Sequence, residues 1–363
     1  MKKFPLQLTL ISLAIFAYVL KGFLTFYPEI IERYYSKGLN KWFIQHLSQV
    51  TSLIPFSLFE CLIYLAVFSL LATFIYTLIQ MISHPQRCLA IVGECLLNLM
   101  TAFSIGYFIF LLFWGMNYAR PSLETDFSFI STPHTKEELI ELYDYLIKAT
   151  HQARSHVNEN DHGIFEAFSD YRDIFKRASL GYEEAAKTYR VLAGDYGNPK
   201  PIIASKWLNY TNITGIYSPF TAEANVNIAV PDSTLLFTTM HEMAHQRGYA
   251  SENEANFIAF LTCISHPDVD FIYAGYLSAL NYTNVALARV DRETLILLNE
   301  QLDAAVRRDL LYLNEFWSQY EGKIEETFQS MNQSYLTFNG VSEGVQSYGR
   351  VVDLLLAYYQ STK

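Results

Sequence analysis

Residues 61–82 read CLIYLAVFSLLATFIYTLIQMI, twenty-two positions without a formal charge. As a helix rising 1.5 Å per residue, such a run spans the roughly 30 Å hydrocarbon core of a bilayer. Cys95 to Met116, CLLNLMTAFSIGYFIFLLFWGM, is a second run of the same length. A third lies at the start of the sequence. Phe4 to Leu20 is uncharged, and Phe23 to Tyr27 continues it past Lys21-Gly22. Three transmembrane helices follow, at about residues 4–27, 58–82 and 93–116. The first is read as a retained anchor, because further apolar residues follow Lys21 and no small-x-small cleavage pattern is present. Lys21 is expected to snorkel to the interface.

The segments between the runs are polar: Pro28 to Ser52, and Ser83-His84-Pro85-Gln86-Arg87. Trp114 and Tyr118 suit an interfacial aromatic belt. Glu60 and Glu94 lie at the margins of the second and third runs and are read as carboxylates reaching the interface, not as an ion path. Lys2, Lys3 and Arg87 on one side nearly balance Arg33, Lys37 and Lys41 on the other. With the short N-terminus inside, three crossings place residue 120 onward outside the cytoplasm, as an integral protein of a cell membrane.

Across 363 residues, 51% are hydrophobic, only 17% are charged, and the mean hydropathy is +0.11. That is too apolar for a soluble enzyme of this size, and it excludes disorder. Residues 1–120 hold 8 Lys/Arg and 4 Glu, leaving 18 basic and 32 acidic residues in 121–363. The larger region would be repelled by phosphate, so no nucleic-acid partner is expected. Three of four cysteines fall before residue 96 and Cys263 stands alone, so the second region has no disulfide framework. The chain divides into a membrane region, 1–120, and a second region, 121–363.

Within the second region, Thr135 with Glu138 three residues on signals a capped helix burying Leu139, Leu142, Tyr143, Leu146 and Ile147. Another helix is expected over Tyr171 to Leu192. Gly194 to Pro201 breaks the pattern. From Pro201 to Val230 the residues favour a small antiparallel sheet, with Ile216 to Phe220 and Val226 to Val230 extended. Pro231-Asp232-Ser233 restarts a helix, and further helices are expected at about 252–265, 268–288, 291–336 with a break, and 345–361. The fold class is α+β, mainly helical.

The helix beginning near Ser233 runs into His241-Glu242-Met243-Ala244-His245. Residues four apart share a helix face, so both imidazoles can meet one ion while Glu242 reaches the water bound to it. This is a zinc-hydrolase arrangement. Gly248 stands where a helix ends in the left-handed region, which lets the chain turn back. Ser251 and Glu254 spell a capping box for the next helix, which would occupy Glu254 and leave Glu252 free to ligate. Glu254 is the alternative third ligand. Asn256, one turn past Glu252, is placed to hold a ligand histidine through its second nitrogen. For a transition-state stabiliser, Tyr276, Tyr348 and Arg350 are candidates.

With Glu252-Asn253-Glu254-Ala255-Asn256 downstream, the motif resembles the gluzincin class of zinc metallopeptidases. That resemblance implies zinc held by two histidines and a later glutamate, with the motif glutamate as general base. Only six residues separate His245 from Glu252, fewer than that class generally has. The whole chain resembles an uncharacterised bacterial family of membrane-anchored zincin-like proteins, known as a domain of unknown function. The likeness runs through Trp114-Gly115-Met116-Asn117-Tyr118, Pro219 to Asn227, the metal motif with Gln246-Arg247-Gly248, and Gly344 to Arg350. The expectation is a membrane-anchored zinc metallopeptidase whose peptide or protein substrate lies along an edge strand within Thr214 to Val230. A membrane-anchored interaction protein that keeps zinc without turnover is the alternative.

Overall fold

The computed structural model describes residues 3–127, 129, 135–339 and 348–363. Helices α1 (Lys3–Leu24), α2 (Lys41–Ser52), α3 (Leu58–Ser83) and α4 (Cys88–Phe113) form the first part, with a ten-residue π-helical stretch, Ile31–Asn40, and shorter helical turns between them. Among the described residues α1, α3 and α4 are long and apolar enough to cross a membrane. The α3 surface shows why: none of the side chains in its apolar window is buried by the described residues. Lipid is the solvent that suits them.

Helices α1 and α4 run parallel. Gln7 Nε2 donates to Asn98 Oδ1 at 2.8 Å near one end, and the Tyr18 and Tyr107 rings meet at 6.5 Å toward the other. Because residues 84–87 reverse the chain between α3 and α4, the C-termini of α1 and α4 and the N-terminus of α3 share one side. The rest of the molecule packs there.

It is held by buried ion pairing at that junction. The Glu223 carboxylate accepts the Leu58 and Phe59 N–H groups at 3.3 and 3.0 Å, capping α3 where its free N–H groups favour an anion. Lys200 Nζ lies 3.2 Å from Glu223 and donates to the carbonyls of Thr51, Ile54 and Phe56. Glu60 accepts from Ile203 N at 2.7 Å and Ala204 N at 2.8 Å. It is therefore buried, not a carboxylate reaching the interface, whereas Glu94 is exposed.

Two more expectations are corrected at this surface. Lys21 does not snorkel: it is buried, 5.5 Å above the Tyr118 ring, with Nζ donating to Asn339 Oδ1. Trp114 is also buried and turns inward onto Tyr217 and His245. Tyr118 donates a hydrogen bond to the Tyr335 hydroxyl at 2.9 Å. Lys21 and Trp114 are thus enclosed by protein, while Tyr118 stays partly exposed.

The second part carries α5 (Lys136–Arg154), α6 (Tyr171–Thr188), α7 (Asp232–Gln246), α8 (Glu252–Ile264) and α9 (Val269–Val290). After them come α10 (Arg292–Asn299), α11 (Ala304–Ser318), α12 (Lys323–Phe338) and α13 (Tyr348–Thr362). The Thr135–Glu138 capping box forms, and the five apolar residues read onto the inner face of α5 are all buried. The region 291–336 holds two breaks, and Gly344 to Ser347, with the expected start of the last helix, lie outside the described residues.

A two-residue hairpin pair, β1 (Asn158–Glu159) and β2 (Phe165–Glu166), precedes the main sheet. That sheet has β5 (Glu223–Asn227) between β3 (Lys200–Ile202) and β4 (Gly215–Ser218). The β4–β5 pair is antiparallel, with Gly215 opposite Val226, but β3 joins parallel to β5, so the sheet is mixed. Strand β5 stops at Asn227, short of Val230, because the Asn227 side chain folds back to accept the Ala229 N–H. All five β5 residues are buried. The four cysteines are free.

Candidate metal centre

Helix α7 lies against β5 and β4 and is buried along most of its length, His241 being one of the partly exposed exceptions. Its C-terminus is set by Gly248. The Tyr249 N–H reaches the Ala244 carbonyl and the Gly248 N–H reaches the His245 carbonyl at 2.8 Å, the paired bonds of a Schellman turn. Gly248 takes φ +89°, which costs a residue with a Cβ about 1–2 kcal/mol. The turn presents the Tyr249 carbonyl to His245 Nδ1 at 2.7 Å. That bond fixes the ring and turns Nε2 the other way.

Helix α8 then starts at Glu252, one turn of chain later. His241 Nε2 and His245 Nε2 are 3.1 Å apart, and the Glu252 carboxylate stands 3.2 Å from the first and 3.7 Å from the second. Donors bound at 2.0–2.2 Å to a tetrahedral ion sit roughly 3.3–3.6 Å from one another, which these spacings bracket. Two imidazoles and one carboxylate are also a donor set that suits zinc. Among the described residues this is the one cluster of three such groups whose donor atoms lie within 4.8 Å of each other.

Glu242 is 4% exposed and lies under the edge strand β4. The β4–β5 bonding alternates. Asn227 N donates to Thr214 O, which leaves the Gly215 and Tyr217 backbone on the outer edge. The Tyr217 N–H faces the Glu242 carboxylate, and a Cβ on Gly215 would overlap that carboxylate, lying 2.6 Å from Glu242 Cγ. Glycine is what lets strand and carboxylate touch. The second oxygen, Oε2, is buried with no hydrogen-bond partner among the described residues. Burial pushes the Glu242 carboxyl up to about 6 against the opposing pull of the His241 and His245 imidazoles. Burial also disfavours charge on His245 and Glu252, but their mutual attraction outweighs it, raising the imidazole and lowering the carboxyl.

The other residues expected at the site fall elsewhere. Asn256 accepts from the Tyr282 hydroxyl at 3.0 Å, and His245 is steadied by the Tyr249 carbonyl. Ser251 makes no side-chain cap, so the expected capping box is absent. Glu254 accepts instead from Leu123 N at 2.7 Å, and burial pushes its carboxyl up to about 7, with Arg120 opposing. Its charged neighbours include Arg350. Tyr276 packs on Tyr145 and Phe260 in the helical core. Tyr348 opens α13.

Side chains that the sequence did not place at the centre also frame it. The Trp114 ring stands edge-on to His245 at 6.2 Å. Tyr118 and Tyr335 share a hydrogen bond and both feel the Glu252 charge, which adds to burial in raising their hydroxyls. Arg120 anchors the turn: it donates to the Gly248 carbonyl at 2.8 Å, to both Glu32 oxygens, and stacks 4.4 Å over Tyr249. Arg247 is clamped between the Tyr182 and Tyr196 rings at 3.6 and 4.4 Å. Gln246 donates to the Gly197 and Ala222 carbonyls, tying the end of α7 to the β4–β5 turn.

A family model described as "Protein of unknown function (DUF3810)" matches residues 35–356, and the chain belongs to that family. No curated protein and no solved structure matches it.

Proposed function

We propose that the chain is a membrane-anchored zinc-dependent metallopeptidase, a hydrolase whose ligands are His241, His245 and Glu252. The observation that carries this reading is the pairing of two features: three donors converging at 3.1–3.7 Å, and beside them a buried Glu242 oxygen without a partner. A structural site would need the first feature and not the second.

Bound zinc supplies a Lewis acid that activates water near neutral pH and polarises a carbonyl. The chain does the rest. Glu242, held by the Tyr217 N–H, takes a proton at Oε2 from the attacking water and passes it to the leaving amine. A carboxyl near 6 before the ion binds is suited to both transfers. The outer edge of β4 pairs an extended peptide by strand addition, and Gly215 keeps that edge within reach of Glu242. Tyr249, through its carbonyl, holds the tautomer of His245 that leaves Nε2 free to ligate.

The test is to purify the full chain, count zinc by mass spectrometry, and compare wild type with Glu242→Gln on a peptide library. Stoichiometric zinc with cleavage lost in the variant is expected. Metal-free protein from a gentle preparation, or equal cleavage by both, overturns the reading; zinc without cleavage by either supports the interaction protein. We also propose that the second region lies outside the cytoplasm; a reporter fused at residue 125 reads that side directly.

A further inference from the structure

Helix α12 carries an apolar stripe that the described residues leave largely uncovered. Ile324, Phe328, Met331, Tyr335 and Phe338 recur at intervals of four, three, four and three, which keeps them on one helix face. All five are large, and all are between 38% and 60% exposed. The side turned to the protein is different: Leu336 is buried there, and Glu325 and Gln333 are partly covered. The remaining face holds Glu326, Ser330 and Thr337, all exposed. The helix thus has three sectors, one packed, one polar and one apolar.

Its two ends fix how it lies. Near the start, the Tyr320 ring meets Tyr210 at 5.1 Å, and Trp207 stands 6.4 Å from Tyr210. The segment leading into Trp207 supplies the Ile203 and Ala204 N–H groups to Glu60 in the first turn of α3, where that helix enters its apolar stretch. Ile203 and Trp207 are themselves 72% and 76% exposed. At the far end Phe338 stacks on Tyr18 of α1 at 6.2 Å and meets Tyr107 of α4 at 6.3 Å. Tyr335 meets Phe110 at 6.5 Å. Sixteen residues span about 24 Å, so α12 bridges from the entry of one apolar helix to the exits of the other two. Those three ends share one side of the molecule, so the helix lies across them.

We propose that α12 is an interfacial helix seated in the bilayer surface, with the stripe from Ile324 to Phe338 in contact with lipid. The stripe is continuous at Phe338 and Tyr335 with side chains of helices that suit hydrocarbon, and that continuity selects lipid over a protein partner. Ile203 and Trp207 extend the same contact around the entry of α3. Because Tyr335 of the stripe bonds Tyr118 beside Glu252, the cluster of His241, His245 and Glu252 then opens at headgroup depth. The proposal does not depend on metal or turnover.

The test uses the full chain in nanodiscs of phosphatidylethanolamine and phosphatidylglycerol. A nitroxide is attached through p-acetylphenylalanine, so that the native cysteines stay, at 324, 328, 331, 326 or 330 in turn. Collisions with oxygen, which concentrates in lipid, are compared with those of a water-soluble nickel chelate. Oxygen is expected to dominate several-fold at 324, 328 and 331 and nickel at 326 and 330. Nickel dominating at all five positions overturns the proposal, as does shielding from both reagents at 324, 328 and 331, which would mean a protein covers the stripe.

Discussion

At the junction with the apolar helices, Glu223 and Glu60 each accept two backbone N–H groups, and Lys200 stands 3.2 Å from Glu223. At the centre between α7 and α8, Glu242 and Glu252 face imidazoles, and Glu242 Oε2 has no partner among the described residues. Both regions bury carboxylates, Glu223 and Glu60 in the first and Glu242 in the second, but among the described residues only the first meets their needs from within the protein. Desolvating a charge is costly unless it is paired and hydrogen-bonded, so a carboxylate with unfilled capacity inside a well-packed region marks a place for something else to bind. The junction is built for cohesion, and the centre keeps spare valence.

The sharpest way to break this contrast is to remove a carboxylate charge from the centre. Glu242→Gln should lower peptide hydrolysis by about 10²–10⁴-fold while leaving the unfolding temperature unchanged or raised, since no internal partner of Oε2 is lost. Thermal unfolding and turnover measured on one preparation decide it. Destabilisation by Glu242→Gln would make the two regions alike.

The converse variant is Lys200→Met, which leaves Glu223 buried beside its two N–H donors without a countercharge. Breaking such a buried pair should cost roughly 3–5 kcal/mol, seen as a lower denaturation midpoint, with zinc per folded molecule unchanged. A smaller effect is expected at the hinge between the helices. Gly248→Ala forces a Cβ into the left-handed region at a cost of about 1–2 kcal/mol, and it should weaken zinc retention against a chelator by displacing the Tyr249 carbonyl from His245.

A pH-dependent effect separates Glu254 from its neighbour. Folding holds its carboxyl at about 7, against 4.5 in an unfolded chain. The folded state therefore binds more protons between those values, and this contribution, full below 4.5, is lost as pH rises through 7. Glu254→Gln should flatten the fall in stability between pH 5 and 7. An identical slope in wild type and variant would show that Glu254 does not titrate there.

Much of the fold was legible because it is written in short-range pattern. The three apolar runs, the Thr135–Glu138 cap and the inner face of α5 each depend on residues within one helix. So does the placement of His241 and His245 on one face, and Gly248 announces the end of α7 by its own conformational freedom. What failed depended on partners far along the chain or on backbone groups. Glu60 and Lys21 look interfacial until residues 203–204 and Asn339 cover them. Ser251 and Glu254 spell a capping box, yet the Leu123 N–H, 131 positions away, takes the carboxylate. Asn256 has the spacing to steady a histidine, but a backbone carbonyl, which no residue type advertises, holds His245.

The amino-acid order alone determined where apolar helices run, which helix face carries two imidazoles, and where a glycine reverses the chain. All of these follow from periodicity and local backbone energetics. Only tertiary packing decided which of Glu252 and Glu254 turns toward the imidazoles. It also decided that Gly215 brings an edge strand onto Glu242, and that α12 leaves its apolar face uncovered beside the spans. Those outcomes depend on which buried donors and surfaces meet between separate elements of the chain, where pairing and desolvation, not local preference, set the energy.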